Sequence, residues 1–130
     1  MGMTYVDSCV WIYLVEKVGE LGMRAHAQLA TVTDDLAWSP LVRLECLVKP
    51  YRDGDLKVID DYDRAFRQRN RLDIGREQYE RAIVLRSRFG LKTTDALHLA
   101  TAQTHGCRAF WTNDERLAEA AGGLHMQVLR

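Results

Sequence analysis

Short apolar runs of strand length alternate with helical periodicity along the chain, and no other feature restricts its fold as strongly. Met3–Val6, Leu36–Trp38, Leu72–Ile74, Ala109–Thr112 and Met126–Leu129 read as strands. Ser8–Leu14, Leu21–Thr31, Ser39 to about Val48, Leu56–Arg69, Arg76–Phe89, Thr94–His105 and Asp114–Ala121 read as helices. The punctuation agrees. Ser39-Pro40 is an N-cap followed by proline at the first helical position, and Gly90 is a C-terminal stop. Pro50 is expected to end the third helix, with Tyr51-Arg52-Asp53-Gly54 as a turn. Strands that alternate with helices build a parallel sheet covered on both faces. There is no internal repeat, linker or low-complexity segment, so residues 1–130 are expected to form one α/β domain.

Composition narrows the class. At 47% hydrophobic residues the chain can bury a core without staples. Its longest apolar run, Cys9–Val15, is far too short to span a bilayer. No basic stretch precedes an apolar one at the start, so a secretory leader is not expected, and Val6 stands where myristoylation needs Ser or Thr. Cys9, Cys46 and Cys107 are odd in number and form no C-x-x-C. They read as small buried hydrophobes of a reduced, cytoplasmic protein, not as a disulfide framework or zinc site. The net charge of zero indicates no class of partner. The distribution is uneven: five aspartates fall in Asp53–Asp63, then nine bases against three acids in Arg64–Lys92. That basic stretch can contact phosphates, or it is a solvated helix face with local pairs such as Glu77–Arg81.

Ligands of open α/β sheets bind beyond the carboxyl ends of the strands. Four acids map to that edge. Asp7 closes the first strand, Glu45 lies in the helix after the second, Asp95 lies in the first turn of its helix, and Asp114 follows the strand Ala109–Thr112. Each has a structural role open to it. Asp95 complements a helix dipole, Asp114 or Asn113 is a suitable N-cap, and Glu45 is a suitable exposed helix residue. Asp7 resists such an account, because Ser8 can cap the helix that follows. Four carboxylates at one edge repel one another unless a cation sits among them. An all-oxygen set suits hard Mg2+ or Mn2+ rather than zinc, and such an ion acts on phosphates.

The stretches "YVDSCVWIYL", "WSPLVRLECLVKP", "KTTDALHLATA" and "FWTNDERL" carry these acids. In that order and rough spacing they resemble the PIN-domain ribonucleases, in particular the VapC-type toxins of VapBC toxin–antitoxin pairs. The resemblance runs from Met3 to Leu129. It implies a three-layer α/β/α sandwich around about five parallel strands. It implies a Mg2+-dependent endoribonuclease, with Mn2+ as a substitute, cutting single-stranded or looped RNA to 5′-phosphate and 3′-hydroxyl ends. Asp7 and Asp95 match the acids that hold the metal most directly; Glu45 and Asp114 match those that complete the metal and water shell. Thr112 and Asn113 match the polar pair beside the last acid. Glu115 adjoins Asp114, and the match favours Asp114. The implied partners are a cognate VapB-type antitoxin and a second copy of the chain in a homodimer.

Other residues are weighed against this frame. Ser8 caps its helix or touches the metal shell, with capping preferred. Arg43 lines an RNA groove or pairs with a surface acid. His98, one turn after Asp95, reads as a packed helix residue, with orientation of Asp95 as the functional reading. Trp11 is core or dimer surface, and Trp38 and Trp111 are core. A phosphoacceptor role for Asp7 fits poorly, because the second aspartate it needs is Cys9. The remaining alternatives are an RNA-processing nuclease without antitoxin, and a non-catalytic RNA- or protein-binding module. The shortness of the chain favours the toxin, and the intact quartet favours catalysis.

Overall fold

The structure, a computed structural model, describes residues 2–17 and 19–129. Five strands form one sheet: β1 Met3–Val6, β2 Asp35–Trp38, β3 Asn70–Arg71, β4 Ala109–Thr112 and β5 His125–Val128. Their order is β3-β2-β1-β4-β5 and every pairing is parallel. The helices are α1 Ser8–Glu16, α2 Gly19–Leu29, α3 Pro40–Asp53, α4 Leu56–Arg67, α5 Arg76–Phe89 and α6 Thr93–Thr104, with a 3₁₀ helix at Glu115–Ala120. The expected three-layer α/β/α architecture is therefore present.

Handedness dictates which helices cover which face. The chain steps outward from β1 to β2 to β3, so right-handed crossovers put α1–α4 on one face. It then returns past β1 to β4 and steps outward to β5, which puts α5, α6 and the 3₁₀ helix on the other. The packing agrees: α1 contacts α2, α3 and α4, whereas α5 packs on α6 and on the 3₁₀ helix. The direction of winding reverses between β1 and β4. A crevice opens at such a reversal, beyond the strands' carboxyl ends.

The core is aromatic at its centre. Tyr5, Phe110 and Trp111 are fully buried, and Tyr5 stacks on Phe110 with ring centroids 5.5 Å apart. Trp11 and Trp38 both pack on Phe66, and the Trp38 indole donates to the Phe66 carbonyl. Trp11 thus belongs to the core, as does Trp111; Trp38 is partly exposed at its strand end. The cysteines are free. Burial pushes the Cys9 thiol up to about 12 and the Cys107 thiol up to about 11, so both stay protonated and act as small hydrophobes.

Several boundaries differ from those read in the sequence. α3 does not stop before Pro50 but runs to Asp53 and closes on Gly54, whose φ of 65° is left-handed. Pro50 forfeits one helical N–H, yet its ring is buried and its carbonyl accepts from Asp55, so packing outweighs the lost bond. The third strand is Asn70–Arg71, not Leu72–Ile74. Leu72 gives one last amide bond to the Trp38 carbonyl and then turns its side chain into the core. The segment after β4 is 3₁₀, not α-helical. Among the described residues no helix is long and apolar enough to cross a membrane.

Candidate active site

Asp7 sits where β1 ends, and the ladder fixes it there. Its amide donates to the Trp111 carbonyl at 2.8 Å, which extends the β1–β4 pairing by one residue. Its carboxylate is held from two sides. Oδ1 accepts the Ser8 amide and Oδ2 accepts the Thr112 hydroxyl, both at 2.8 Å. Asp7 is therefore the N-cap of α1, with extended backbone. The capping role expected of Ser8 belongs to its neighbour. With Asp7 as the cap, the helix starts at Ser8, one residue earlier than a serine cap would give. Ser8 Oγ is freed to donate to Glu45 Oε1 at 2.7 Å.

Glu45 projects from α3 toward the same edge. His98 Nε2 lies 2.5 Å from its Oε1 and 3.7 Å from Asp7 Oδ1, so the imidazole stands between the two acids. Burial pushes the Glu45 carboxyl up, but the His98 and Ser8 hydrogen bonds outweigh it and hold the group below its ordinary range. Asp95, half-buried in the first turn of α6, behaves oppositely. Burial raises its pKa, and the charges of Asp7 and Asp114 raise it further. Asp114 caps the 3₁₀ helix and is clamped by Arg116, whose Nε and Nη2 reach its two oxygens at 2.9 and 2.7 Å. That guanidinium holds the Asp114 carboxyl below its ordinary range.

The structure thus brings Asp7, Asp95 and Asp114 into electrostatic contact, and His98 links Asp7 to Glu45. Among the described residues no three of these side chains converge into a ready coordination shell. Glu45 is drawn toward Ser8 and His98, and Asp114 toward Arg116. The donors nonetheless fit a hard divalent cation. They are carboxylate oxygens, the charges of Asp7 and Asp114 disfavour ionised Asp95, and Asp114 already attracts a cationic side chain. Asp114 is one of the charges felt by Asp95.

A family model for the PIN domain matches residues 4–123. The chain belongs to the PIN-domain family. Membership supports a nuclease in general terms, and this family generally uses divalent metal ions. Solved PIN structures resemble the chain in fold. A toxin–antitoxin complex from Klebsiella pneumoniae superposes with a TM-score of 0.79 at 23% identity, over 98% of this chain and 98% of that one. VapBC2 from Rickettsia felis, bound to promoter DNA, gives 0.78 at 13% identity over 98% and 99% of the two chains. The VapC20 toxin of Mycobacterium tuberculosis, described as cleaving the sarcin-ricin loop, gives 0.74 at 17% identity over 90% and 94%. No curated protein matches the chain.

The remaining candidate residues of this PIN domain fall into two groups. Thr112 steadies Asp7 and also accepts the Asp114 amide at 3.1 Å, so one hydroxyl ties the first acid to the last. Asn113 is exposed and donates to the Tyr13 hydroxyl at 3.2 Å. Arg43, by contrast, turns to Asp63 of α4 at 3.3 Å and to Tyr51, not to the acids. Much of the basic run is likewise occupied locally. Arg64 pairs with Asp60 and Asp61, Arg71 with Asp73, and Arg81 bonds Gln103 rather than Glu77.

Three residues at or behind the site escaped sequence reasoning in their actual roles. His98 touches Glu45, not Asp95; Tyr5 bonds His98; and Arg116 clamps Asp114. Two signals were available. Tyr5 precedes Asp7 by two residues on a strand, hence points to the same face. His98 follows Asp95 by three on a helix, hence shares its side.

Proposed function

We propose that this PIN domain, one domain over the whole chain, is a Mg2+-dependent endoribonuclease. We propose further that it is the toxin of a type II toxin–antitoxin pair, silenced by a VapB-type antitoxin. The observation that carries the reading is the placing of Asp7, Asp95 and Asp114 at the edge where the sheet's winding reverses, with the Asp95 carboxyl pushed up by burial and then by the charges of Asp7 and Asp114. A half-buried carboxylate that two neighbouring acids destabilise serves a bound cation better than it serves the fold.

Asp7 and Asp95 would hold Mg2+, or Mn2+ in its place, with Asp114 and Glu45 completing the shell. The ion would offset phosphate charge and lower the pKa of a water. The chain's own residues do the rest. The strand terminus and the Thr112 hydroxyl keep Asp7 from swinging. Glu45, kept ionised by its two hydrogen-bond donors, is placed to accept a proton from the attacking water. Water oxygen bonds to phosphorus and the P–O3′ bond breaks. The 3′-oxygen takes a proton from solvent as it leaves and so becomes a hydroxyl, Glu45 gives its proton back to water, and the new end carries the 5′-phosphate.

Two surfaces suit the partners. A cleft of about 620 Å3 among α1, α2, β2 and α4 is lined by Trp11, Leu14, Leu29 and Val58, with Lys17 and Arg69 among its polar groups. An amphipathic acidic antitoxin segment fits that chemistry. Leu44, Val48 and Tyr51 form an exposed apolar stripe on α3, of the kind that a second copy of the chain would cover. The reduced, buried cysteines agree with a cytoplasmic setting.

Inducible expression of wild type and Asp7→Ala, followed by sequencing of 5′-phosphate RNA ends, tests the reading. New ends with wild type alone are expected, together with growth arrest relieved by the antitoxin encoded beside it. Arrest without new ends would overturn the nuclease. A smaller effect concerns the clamp. Arg116 is exposed, so its pair with Asp114 is weak and screened by salt. Arg116→Ala is expected to tighten Mn2+ binding a few-fold, measured by paramagnetic titration. Unchanged or weaker binding would contradict Asp114 as a ligand.

A further inference from the structure

A continuous polar chain runs through the core to Glu45. Ser39 Oγ lies 2.8 Å from the Tyr5 hydroxyl, which lies 2.7 Å from His98 Nδ1, and His98 Nε2 lies 2.5 Å from Glu45 Oε1. Ser39 and Tyr5 are fully buried and His98 is 2% exposed. At its far end Ser39 Oγ accepts the Val42 amide at 3.3 Å, as the N-cap of α3.

The proton order follows from the two ends. An ionised carboxylate only accepts, so His98 Nε2 must carry a hydrogen. In the tautomer that carries its hydrogen on Nε2 alone, Nδ1 keeps a lone pair and the Tyr5 hydroxyl donates to it. The Tyr5 oxygen is left to accept the Ser39 hydroxyl hydrogen, and Ser39 in turn accepts from Val42. Every group is used once and in one direction. An apolar core would avoid the cost of burying such a network, and a half-satisfied one is worse still. Among the described residues its hydrogen-bonded outlet is Glu45, with Asp7 Oδ1 3.7 Å from the same imidazole nitrogen. The His98 and Ser8 bonds both land on Oε1, so among the described residues Oε2 is left for a ligand.

Resting on the nuclease reading of Glu45, we propose that Ser39, Tyr5 and His98 form a one-way hydrogen-bond relay that aims the Glu45 carboxylate at the strand-end acids. His98 is then a positioning residue, and Tyr5 and Ser39 are the groups that fix its tautomer. The relay joins both sides of the sheet: α3 supplies Glu45, β1 supplies Tyr5, and α6 supplies His98. Orientation of a ligand by a buried neighbour of this kind typically carries a 10–100-fold effect.

The test uses the whole chain and two readouts. In metal-free protein, ¹⁵N NMR of the imidazole is expected to show Nε2 protonated and Nδ1 bare. Tyr5→Phe removes one hydroxyl while its ring can still stack on Phe110. It is expected to shift the Nδ1 resonance and mix the tautomers. In RNA cleavage Tyr5→Phe is expected to lower kcat about tenfold with KM unchanged. His98→Gln, which keeps a donor near the Nε2 position, should stay within a few-fold of wild type, whereas His98→Ala should lose about 10–100-fold. A wild-type ring protonated on Nδ1 overturns the relay. So does a Tyr5→Phe protein whose resonances and kcat are both unmoved, or a His98→Gln no better than His98→Ala. If wild type cuts no RNA, the nuclease reading fails and the tautomer measurement alone decides the relay.

Discussion

Asp7→Asn is expected to lose at least about 100-fold in RNA cleavage while melting within a few degrees of wild type. The activity figure follows from position. On the proposed reading Asp7 would hold the ion directly, and even outer-shell partners of metal ligands cost about 10–100-fold when removed. The stability expectation follows from the local bonds. Asparagine is as good an N-cap as aspartate, and its side-chain oxygen can still accept one of the two donors that hold Asp7, the Ser8 amide and the Thr112 hydroxyl. Removing the charge also relieves Asp95, whose ionisation Asp7 opposes. Activity within tenfold of wild type, measured with a fluorogenic RNA, would remove Asp7 from the mechanism. A large drop in Tm would mean that its role is structural.

Asp95→Asn is expected to abolish cleavage to a similar degree, about 100-fold or more, and at neutral pH in EDTA to raise the melting temperature. The sign is set by the direction of the pKa shift. Burial, then the charges of Asp7 and Asp114, hold Asp95 above its ordinary range in the folded chain. The folded state therefore binds this proton more tightly than the unfolded state. The resulting stability is fully present below the unfolded carboxyl pKa and is lost as pH rises through the folded one. At pH 7 wild type carries that ionised, destabilising group and the asparagine variant does not. The advantage of the variant should fade in acid. Mg2+ should reverse the ranking, because a ligand bound only by the folded state adds about 2.7 kcal/mol at 100 times its Kd. Thermal melts at acid and neutral pH, with EDTA and with Mg2+, test both halves. Equal Mg2+ stabilisation of wild type and variant would contradict Asp95 as a ligand.

Much of this was legible from sequence. Arg76–Phe89 and Ala109–Thr112 appear with the boundaries their patterning implies, because strong local stops flank them: Gly75 and Gly90 about the helix, Asn113 after the strand. The alternation of elements fixed a parallel sheet, and the parallel sheet placed Asp7, Asp95 and Asp114 on one edge. What was not legible depends on partners distant in the chain. Tyr5 and His98 are 93 residues apart, and Ser8 and Glu45 are 37 apart. Nothing local distinguishes Asp7 from Ser8 as the cap; the β1–β4 ladder decides it by holding the Asp7 amide. Pro50 was misread for a related reason. Its intrinsic cost to a helix is visible in the sequence, whereas the burial that offsets it is not. Of the two readings open to Arg43, an RNA groove or a surface acid, the structure shows the pair with Asp63, twenty residues away in the chain.

The relay gives the fold and the site a common origin. Ser39 starts α3 as a cap and ends in the hydrogen-bond chain, so the residue that begins the helix also helps orient its glutamate. Likewise Thr112 closes β4 while binding Asp7 and the Asp114 amide. Residues shared in this way keep the acids in place on rigid elements rather than on loops.

The most direct test of the central claim is the end chemistry of RNA cut by the purified chain across a Mg2+ titration. Products bearing 5′-phosphate and 3′-hydroxyl ends, absent in EDTA and absent with Asp7→Asn, are predicted. Cleavage that persists in EDTA or leaves 2′,3′-cyclic phosphates would contradict the account, because the reaction would then run through the ribose hydroxyl and not through the carboxylates at the sheet edge.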